Sequence, residues 1–224
     1  MSHISVFFLC RAKVIVFVSR SSSSPQCSQN RHERSEFFVL FFLSFVLQVN
    51  MSVSQVCPGL YLSGLDSALN VSVLTSRNIT LIVNASGLED VSYPQLDNLQ
   101  VLHVPIQDHP HAPLKQYFDP VAERIHQNQT GKTLVHCTAG RSRSPALIMA
   151  YLMRFQGLSL RQAHEVLLQN RPFIRPNAGF WRQLIDYEKT LFSGNTVRMV
   201  RTSSGVLPET VQDSEDSAAY CVNI

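Results

Sequence analysis

The chain lacks blocks of like charge, which would have indicated a polyanionic partner. Its 19 basic and 16 acidic residues are dispersed and leave a net charge of +3. Nucleic acids and anionic membranes are usually bound by clustered Lys and Arg, so this dispersion argues against both. We expect no nucleic-acid partner, no membrane association and no obligate oligomer.

Paired cysteines are also missing. The five cysteines are widely separated, with no C-x-x-C pair and no histidine cluster at zinc spacing. Such an odd, dispersed set is typical of free thiols in a reducing compartment, which predicts a cytoplasmic protein, with the nucleus as a second location. We expect neither a metal nor another cofactor. A lone cysteine is more often a small buried hydrophobe than a nucleophile, so each one has to be judged by its neighbours.

A long uninterrupted apolar run is absent as well. The first fifty residues hold two apolar runs, 6–18 and 37–49, on either side of a polar, serine-rich stretch. Neither run reaches the about 18–20 uninterrupted apolar residues that cross a bilayer. The second lies far from the N-terminus and lacks a small-residue cleavage site. We interpret residues 1–50 as a disordered or non-native leader; a membrane anchor or a signal segment is the alternative.

From residue 51 onward, short β-branched runs alternate with longer helical patterns. This alternation predicts an α/β fold, a single domain over residues 51–200 with a mainly parallel central sheet flanked by helices. Ligands of such sheets bind outside the carboxyl ends of the strands. Residues 201–224 are polar and slightly acidic, which predicts a flexible C-terminal tail. Strands are predicted at 55–57, 60–63, 79–84, 100–104 and 133–136, and helices at 66–76, 114–128, 145–155, 159–169 and 179–191.

The segment TLVHCTAGRSRSPAL, residues 133–147, has the layout of an anion site: an apolar strand, a tight loop and a helix that is apolar almost all round. A loop that closes onto a helix N-terminus points several unpaired backbone N–H groups at one place, and the helix dipole adds positive charge there. Gly140 allows the tight curvature, and Pro145 suits the first helical turn. The same N–H groups stabilise a thiolate, so we expect Cys137 to ionise near neutral pH.

Five residues separate Cys137 from Arg143. At this spacing a wrapped loop can place the sulfur beneath a phosphorus atom while the guanidinium grips two phosphoryl oxygens, which Lys does less well. In-line attack by the thiolate would give a phosphocysteine that water then hydrolyses. A bare C-x5-R occurs by chance in many chains; the strand before it and the buried helix after it are what favour catalysis here. The residues expected to bind the phosphate are Thr138, Ala139, Gly140, Arg141, Ser142 and Arg143.

Two neighbours of this loop are expected to assist it. His136 is predicted to be a buried, hydrogen-bonding support for the loop and the thiolate rather than a general base. Ser144 is expected to donate a hydrogen bond to the sulfur as it leaves; capping the following helix is its alternative role.

Three motifs together resemble a known family. They are HCTAGRSRS at 136–144, AYLM at 150–153 and RPFIRPNAGFWRQL at 171–184. They look like the atypical dual-specificity protein phosphatases of the cysteine-dependent tyrosine phosphatase superfamily, and the resemblance covers about residues 53–208. With VRMV at 197–200, they most resemble the subgroup that contains dual-specificity phosphatases 14 and 18. Arg141 and Pro145 replace a small apolar residue and an Ala of that subgroup, which puts substrate preference in question more than activity.

The resemblance implies the dual-specificity phosphatase fold and hydrolysis of phosphotyrosine and phosphoserine or phosphothreonine. The implied substrates are signalling proteins such as MAP kinases or their activators. It also implies that the amide of Asn84 helps to hold the phosphate loop, and Asn177 is expected to act similarly, although both fit ordinary turns as well.

Expelling a Ser, Thr or Tyr oxygen requires a proton, so a carboxylic acid should lie above the phosphate. Asp108 is the best candidate, because it follows a predicted strand in a polar segment and stands where the resembled family keeps its acid. Asp90, Asp97 and Asp119 are rivals; the first two precede that strand and the third lies inside a helical pattern.

Two other functions stay open. A phosphate-binding adaptor could use the same fold without turnover, although the intact Cys137, Arg143 and Asp108 argue against it. A phosphatase of RNA 5′ ends or phosphoinositides would call for a more basic rim, and Arg141 is the residue that leaves this open.

Overall fold

Five strands form one sheet in the computed structural model, which describes residues 53–203 and 205–210. Four of these strands run parallel, and the first strand along the chain is an antiparallel edge. The prediction of a mainly parallel sheet is therefore confirmed, whereas the predicted leader over residues 1–50 lies outside the described residues. In the order β1-β2-β5-β3-β4, the sheet contains β1 (Ser54–Cys57), β2 (Leu60–Ser63), β5 (Lys132–His136), β3 (Ile79–Asn84) and β4 (Gln100–His103).

Helices cover both faces of this sheet. They are α1 (Leu65–Ala68), α2 (Val71–Ser76), a 3-10 helix (Leu114–Tyr117), α3 (Phe118–Gln127), α4 (Arg143–Gln156), α5 (Leu160–Asn170) and α6 (Ala178–Phe192). Within the part of the chain that the structure describes, none of them is long and apolar enough to cross a bilayer.

The predicted helix over 66–76 is two helices, because Asn70 begins a new one: its side chain accepts a hydrogen bond from the backbone N–H of Val73. The predicted helix over 114–128 begins as a 3-10 turn before α3.

Helix α4 lies at the centre of the larger layer. Its residues are buried from Arg143 to Met153, as its all-round apolar pattern predicts. They pack with α3, α5 and α6 against one face of the sheet. A smaller cluster, in which Leu74 of α2 meets Ile82 and Leu134, covers the other face. Because a short loop joins the end of β5 to the start of α4, this packing fixes both ends of that loop.

A two-stranded hairpin follows the last helix, formed by β6 (Val197–Thr202) and β7 (Gly205–Thr210). Of the predicted flexible tail over 201–224, residues 201–202 and 205–210 lie in β6 and β7, and residues 211–224 lie outside the described part. The hairpin is ordered because β6 buries Val197 and packs Met199 against the core, while Arg198 binds Glu209 across the strands. Most of its other side chains are exposed, which explains why the sequence pattern is that of a polar segment.

Candidate active site

The loop between β5 and α4 lies at the carboxyl ends of the parallel strands. Five consecutive carbonyl groups of this loop accept hydrogen bonds from donors outside residues 137–141. Since the N–H of each following residue points opposite to the carbonyl, the N–H groups turn inward and form an anion cradle. The bonds are His136 Nδ1 to Cys137 O (3.2 Å), Leu65 N to Thr138 O (3.0 Å), Arg171 Nη2 to Ala139 O (3.1 Å), Arg171 Nε to Gly140 O (2.8 Å) and Arg175 N to Arg141 O (2.6 Å).

Gly140 is required by this wrapping. Its φ is +65°, and a Cβ at this position would lie 2.4 Å from the carbonyl oxygen of Ser63. A side chain here would therefore push the loop away from β2.

Arg171 is a functional residue that the motif contained but that sequence reasoning did not single out. Its side chain is 2% exposed and donates to two carbonyls on the outer side of the loop. The available signal was its position at the start of RPFIRPN, directly after α5.

The thiol of Cys137 is 2% exposed at the bottom of the cradle. The hydroxyl of Ser144 donates to its sulfur at 3.2 Å, so the structure shows the contact expected of Ser144, while Ser142 takes the position that begins the helix. Burial by itself raises the pKa of Cys137, but hydrogen bonds from the hydroxyl and backbone of Ser144, the Arg143 charge and the Ser142 backbone outweigh it. The net pKa is lowered, which favours the thiolate.

The guanidinium of Arg143 is held by two carbonyl groups from other loops and by one hydroxyl of the phosphate loop. Its Nη1 donates to the carbonyls of Ser86 (2.5 Å) and Ile106 (3.3 Å), and its Nη2 donates to the hydroxyl of Thr138 (3.0 Å). Its Nε is buried and has no hydrogen-bond partner among the described residues. A buried, unpartnered N–H donor of this kind is available to an anion bound in the loop.

Asp108 lies at the mouth of the same loop. Its Oδ1 accepts from the hydroxyl of Ser142 (2.7 Å) and from Nδ2 of Asn177 (2.9 Å), and its Oδ2 is 3.8 Å from Nε of Arg143. The side chain is 37% exposed, so an incoming group can reach it.

The rival acids lie elsewhere. Asp119 is on α3, where its carboxylate binds Arg154 and Tyr187. Asp90 and Asp97 are exposed in the connection between β3 and β4. Of the four candidate acids, Asp108 is therefore the one that lies against the phosphate loop.

His136 is fully buried between the loop and Tyr93. Because the carbonyl of Cys137 can only accept, Nδ1 must carry the proton, and Nε2 then accepts from the Tyr93 hydroxyl at 2.6 Å. Burial lowers the pKa of His136 to about 4, with the nearby Arg143 and His103 adding to the effect. The ring is neutral at physiological pH and supports the loop. Tyr93 was missed, because nothing local marks it.

The two asparagines act differently from the expectation. The amide of Asn84 forms hydrogen bonds with Ser86 and Leu88, which follow β3. It therefore holds the loop in which the carbonyl of Ser86 accepts from Arg143, rather than the phosphate loop itself. Asn177 caps α6 with its Oδ1 and holds Asp108 with its Nδ2. Its backbone N–H donates to the hydroxyl of Ser142 at 3.3 Å, which links Asn177 to the phosphate loop.

The arrangement brings together a thiol of lowered pKa, a fixed guanidinium, an N–H cradle and a carboxyl group. These are the parts that phosphoryl transfer to sulfur needs. In the described portion of the chain, no three His, Cys, Asp or Glu side chains are placed to hold a metal.

Comparisons with known proteins agree with this chemistry. Residues 60–190 match the family described as "Dual specificity phosphatase, catalytic domain". Dual specificity protein phosphatase 14 of Homo sapiens is 46% identical over 160 residues, covering 70% of this chain and 79% of that protein. Dual specificity protein phosphatase 18 of Homo sapiens is 43% identical over 159 residues, covering 70% and 84%.

A solved structure shares both fold and sequence with the chain. The crystal structure of human DUSP28 superposes with a TM-score of 0.59 at 36% identity, covering 62% of this chain and 94% of that one. The chain therefore belongs to the dual-specificity phosphatase family, near phosphatases 14 and 18, and is a dual-specificity protein phosphatase.

Proposed function

We propose that this phosphatase hydrolyses phosphotyrosine and phosphoserine or phosphothreonine through a phosphocysteine on Cys137. Its substrates would be signalling proteins such as members of MAP kinase pathways. The observation that carries the proposal is the meeting of Cys137 and the Nε of Arg143, which has no hydrogen-bond partner among the described residues, at one N–H cradle.

In the first step the thiolate of Cys137 attacks phosphorus in line with the leaving oxygen. A sulfur–phosphorus bond forms and the bond to the Tyr, Ser or Thr oxygen breaks. The loop N–H groups and Arg143 stabilise the charge on the phosphoryl oxygens. Asp108 donates its proton to the leaving oxygen, which departs as a neutral hydroxyl.

In the second step water attacks the phosphocysteine. The carboxylate of Asp108 takes a proton from the water, and inorganic phosphate leaves. The sulfur leaves as a thiolate, which the hydroxyl of Ser144 stabilises through the hydrogen bond seen at 3.2 Å. The enzyme returns to its starting protonation state, so no co-reactant besides water is needed.

The rim supports a protein substrate over a polyanion. Arg141, the residue that leaves RNA or phosphoinositides open, donates its Nε to the carbonyl of Phe173, and its own carbonyl accepts from Arg175. One N–H donor of Arg141 therefore links the phosphate loop to the connection between α5 and α6 and is not available to a substrate. We expect the activity in the cytoplasm, with the nucleus second.

Turnover on a substrate panel tests the proposal. The panel contains peptides with phosphotyrosine, phosphoserine and phosphothreonine, an RNA with a 5′-triphosphate and phosphoinositide vesicles. We expect wild type to hydrolyse the phosphopeptides and Cys137→Ser to hydrolyse none. Acid quenching of the wild-type reaction, followed by mass spectrometry, should find the phosphoryl group on Cys137. Cys57→Ser is the matched control, since Cys57 is the other free thiol that the structure describes and lies outside the site.

Three outcomes would contradict the proposal. Full activity of Cys137→Ser would exclude the thiol as nucleophile. Faster release of phosphate from RNA or lipid would assign another substrate class. Tight phosphopeptide binding without turnover by wild type would favour an adaptor.

A further inference from the structure

A groove of about 550 Å³ leads away from the catalytic loop. At its inner end it is lined by Asp108, Ser142 and Asn177, the residues that meet at the mouth of the phosphate site. Farther out its walls come from α5, the connection that follows α5, the start of α6 and strand β7, and Arg175 of that connection is a charged lining residue. The apolar residues of this outer part include Leu168, Ile174, Pro176, Trp181, Val206 and Leu207.

The walls of the groove are held in place before any ligand arrives. Trp181 is 3% exposed, and the ring of His164 meets it edge-on at a centroid distance of 4.8 Å. The hairpin wall is fixed at its base, where the buried carboxylate of Glu188 accepts from the N–H (2.9 Å) and the hydroxyl (2.6 Å) of Thr196. A preformed apolar groove binds more tightly than one that must be ordered first.

One wall residue leaves apolar surface open. Leu207 of β7 is 38% exposed although it lines the groove, whereas most large apolar side chains of the described residues are buried. Covering such a side chain with another apolar group is favourable. The volume of the groove also falls in the range of about 300–1,000 Å³ that is usual for ligand sites.

We propose that this groove binds the substrate polypeptide next to the phosphorylated residue and takes one apolar side chain from it. The inference rests on the proposed function. The occupant is inferred from the continuity of the groove with the catalytic site. The leaving oxygen of the substrate has to lie within reach of Asp108, and Asp108 also lines the groove. The residues that flank the phosphorylated side chain therefore pass into the groove, where apolar walls favour Leu, Ile or Phe over Ser.

Matched phosphopeptides test this. A parent peptide carries Ser at each of the three positions on either side of the phosphorylated residue, and each position is replaced by Leu in turn. The readout is the ratio of kcat/KM for the Leu peptide to that for the parent. We expect a ratio of about ten at one or two positions in wild type, the usual effect of a few apolar carbons in a pocket.

Leu207→Ser should reduce that ratio to about two or less, since the mutation removes one partner of the contact. Leu69→Ser is the matched control: the substitution is the same, the exposure is 37% and the residue is not part of the groove. Val206→Thr, which changes polarity and keeps the shape, provides a second variant. Hydrolysis of p-nitrophenyl phosphate, which has no flanking residues, reports whether each variant retains a folded phosphate site.

The outcomes separate the inference from the proposed function. Phosphopeptide hydrolysis with a ratio near one at every position overturns the groove and leaves the proposed function standing. Hydrolysis of p-nitrophenyl phosphate without any phosphopeptide turnover overturns both. An unchanged ratio in Leu207→Ser and Val206→Thr also overturns the groove. If deletion of residues 211–224 raises kcat/KM for the Leu peptide severalfold, the chain's own C-terminal segment is the occupant, and the inference fails.

Discussion

Two buried arginines act on opposite sides of the phosphate loop. Arg171 donates to carbonyls on the outer side, whereas Arg143 presents an unpartnered Nε on the inner side. A guanidinium suits both positions because its planar fork donates in several fixed directions. Burial lowers the pKa of Arg171, and the charge on Cys137 opposes that shift. The charge on Cys137 therefore favours the charged form of Arg171.

Asp108 is the catalytic assignment that depends most on its surroundings, and leaving-group dependence tests it. Asp108→Asn should lower kcat for phosphoserine peptides by about 10²–10⁴-fold, the usual contribution of a general acid. Aryl phosphates whose phenol is strongly acidic should lose far less, because such a leaving group departs without a proton. The measurement is kcat over a series of phosphate esters with leaving groups of increasing pKa.

The rivals provide the controls for this series. Asp90→Asn and Asp97→Asn change exposed carboxylates in the connection between β3 and β4 and should behave as wild type. An equal loss on all esters in Asp108→Asn would assign the proton to another group.

Residue-level prediction from the sequence succeeded where the contacts are local. Cys137, Ser144 and Arg143 lie within one loop and one helical turn, so their spacing alone predicts that they meet. Tyr93 and Arg171 were not predicted as parts of the site, because they reach it from other connections and their contacts exist only after the sheet and helices have packed. The contacts of Asn84 with Ser86 and Leu88 also depend on the packed fold, and no local pattern indicates them.

At the level of elements, helix α4 was predictable and the β6–β7 hairpin was not. An all-round apolar helix has few alternatives to burial, so its pattern is informative. The hairpin buries one residue of β6 and exposes most of the others, which is the pattern of a polar loop. Its order depends on an ion pair between strands and on contacts with α6, neither of which a local pattern reveals.

Glu188 of α6 joins three elements, and its removal should loosen them together. The side chain is 1% exposed, and its carboxylate accepts from Leu160 at the start of α5 and from Thr196 just before β6. Glu188→Ala leaves these donors unsatisfied, and we expect a loss of about 3 kcal/mol in the free energy of unfolding. Urea denaturation measures the loss, and faster hydrogen exchange in β6 and β7 should accompany it.

Glu123→Ala is the control for that variant. Its carboxylate also binds a partner, Arg154, but its side chain is 49% exposed, so the cost should stay below about 1 kcal/mol. Equal destabilisation by the two substitutions, or unchanged exchange in the hairpin, would show that Glu188 does not hold the hairpin.

Within the described residues, most of the buried polar side chains lie near the carboxyl ends of the strands. The strands and α4 bury mostly apolar side chains, whereas the carboxyl ends of the strands bury Asn84, Ser86, His136 and Arg143. Burying such groups costs stability unless each has a partner. The large apolar core offsets this cost, so the fold can hold a site whose groups remain ready for an anion.

His136 makes this cost depend on pH. Its pKa is about 4 in the folded chain, chiefly because of burial, against an ordinary value of 6.5. Between pH 4 and 6.5 the imidazole is therefore protonated in the unfolded chain and neutral in the folded chain. The free energy of unfolding increases with pH over this range. The contribution is complete above about pH 6.5, is lost as the pH falls toward 4, and amounts to about 3 kcal/mol. Burial also lowers the pKa of His164, which adds to the slope in the same direction.

Urea denaturation of wild type and His136→Asn between pH 4.5 and 7.5 measures this contribution. The Asn amide can still donate to the carbonyl of Cys137, so the variant removes the titration while keeping one of the two hydrogen bonds. We expect the variant to be less stable than wild type at pH 7.5 and to lose less stability on acidification. Parallel curves for the two proteins would mean that folding does not shift the pKa of the imidazole. The burial of His136 would then not control the acid sensitivity of the molecule.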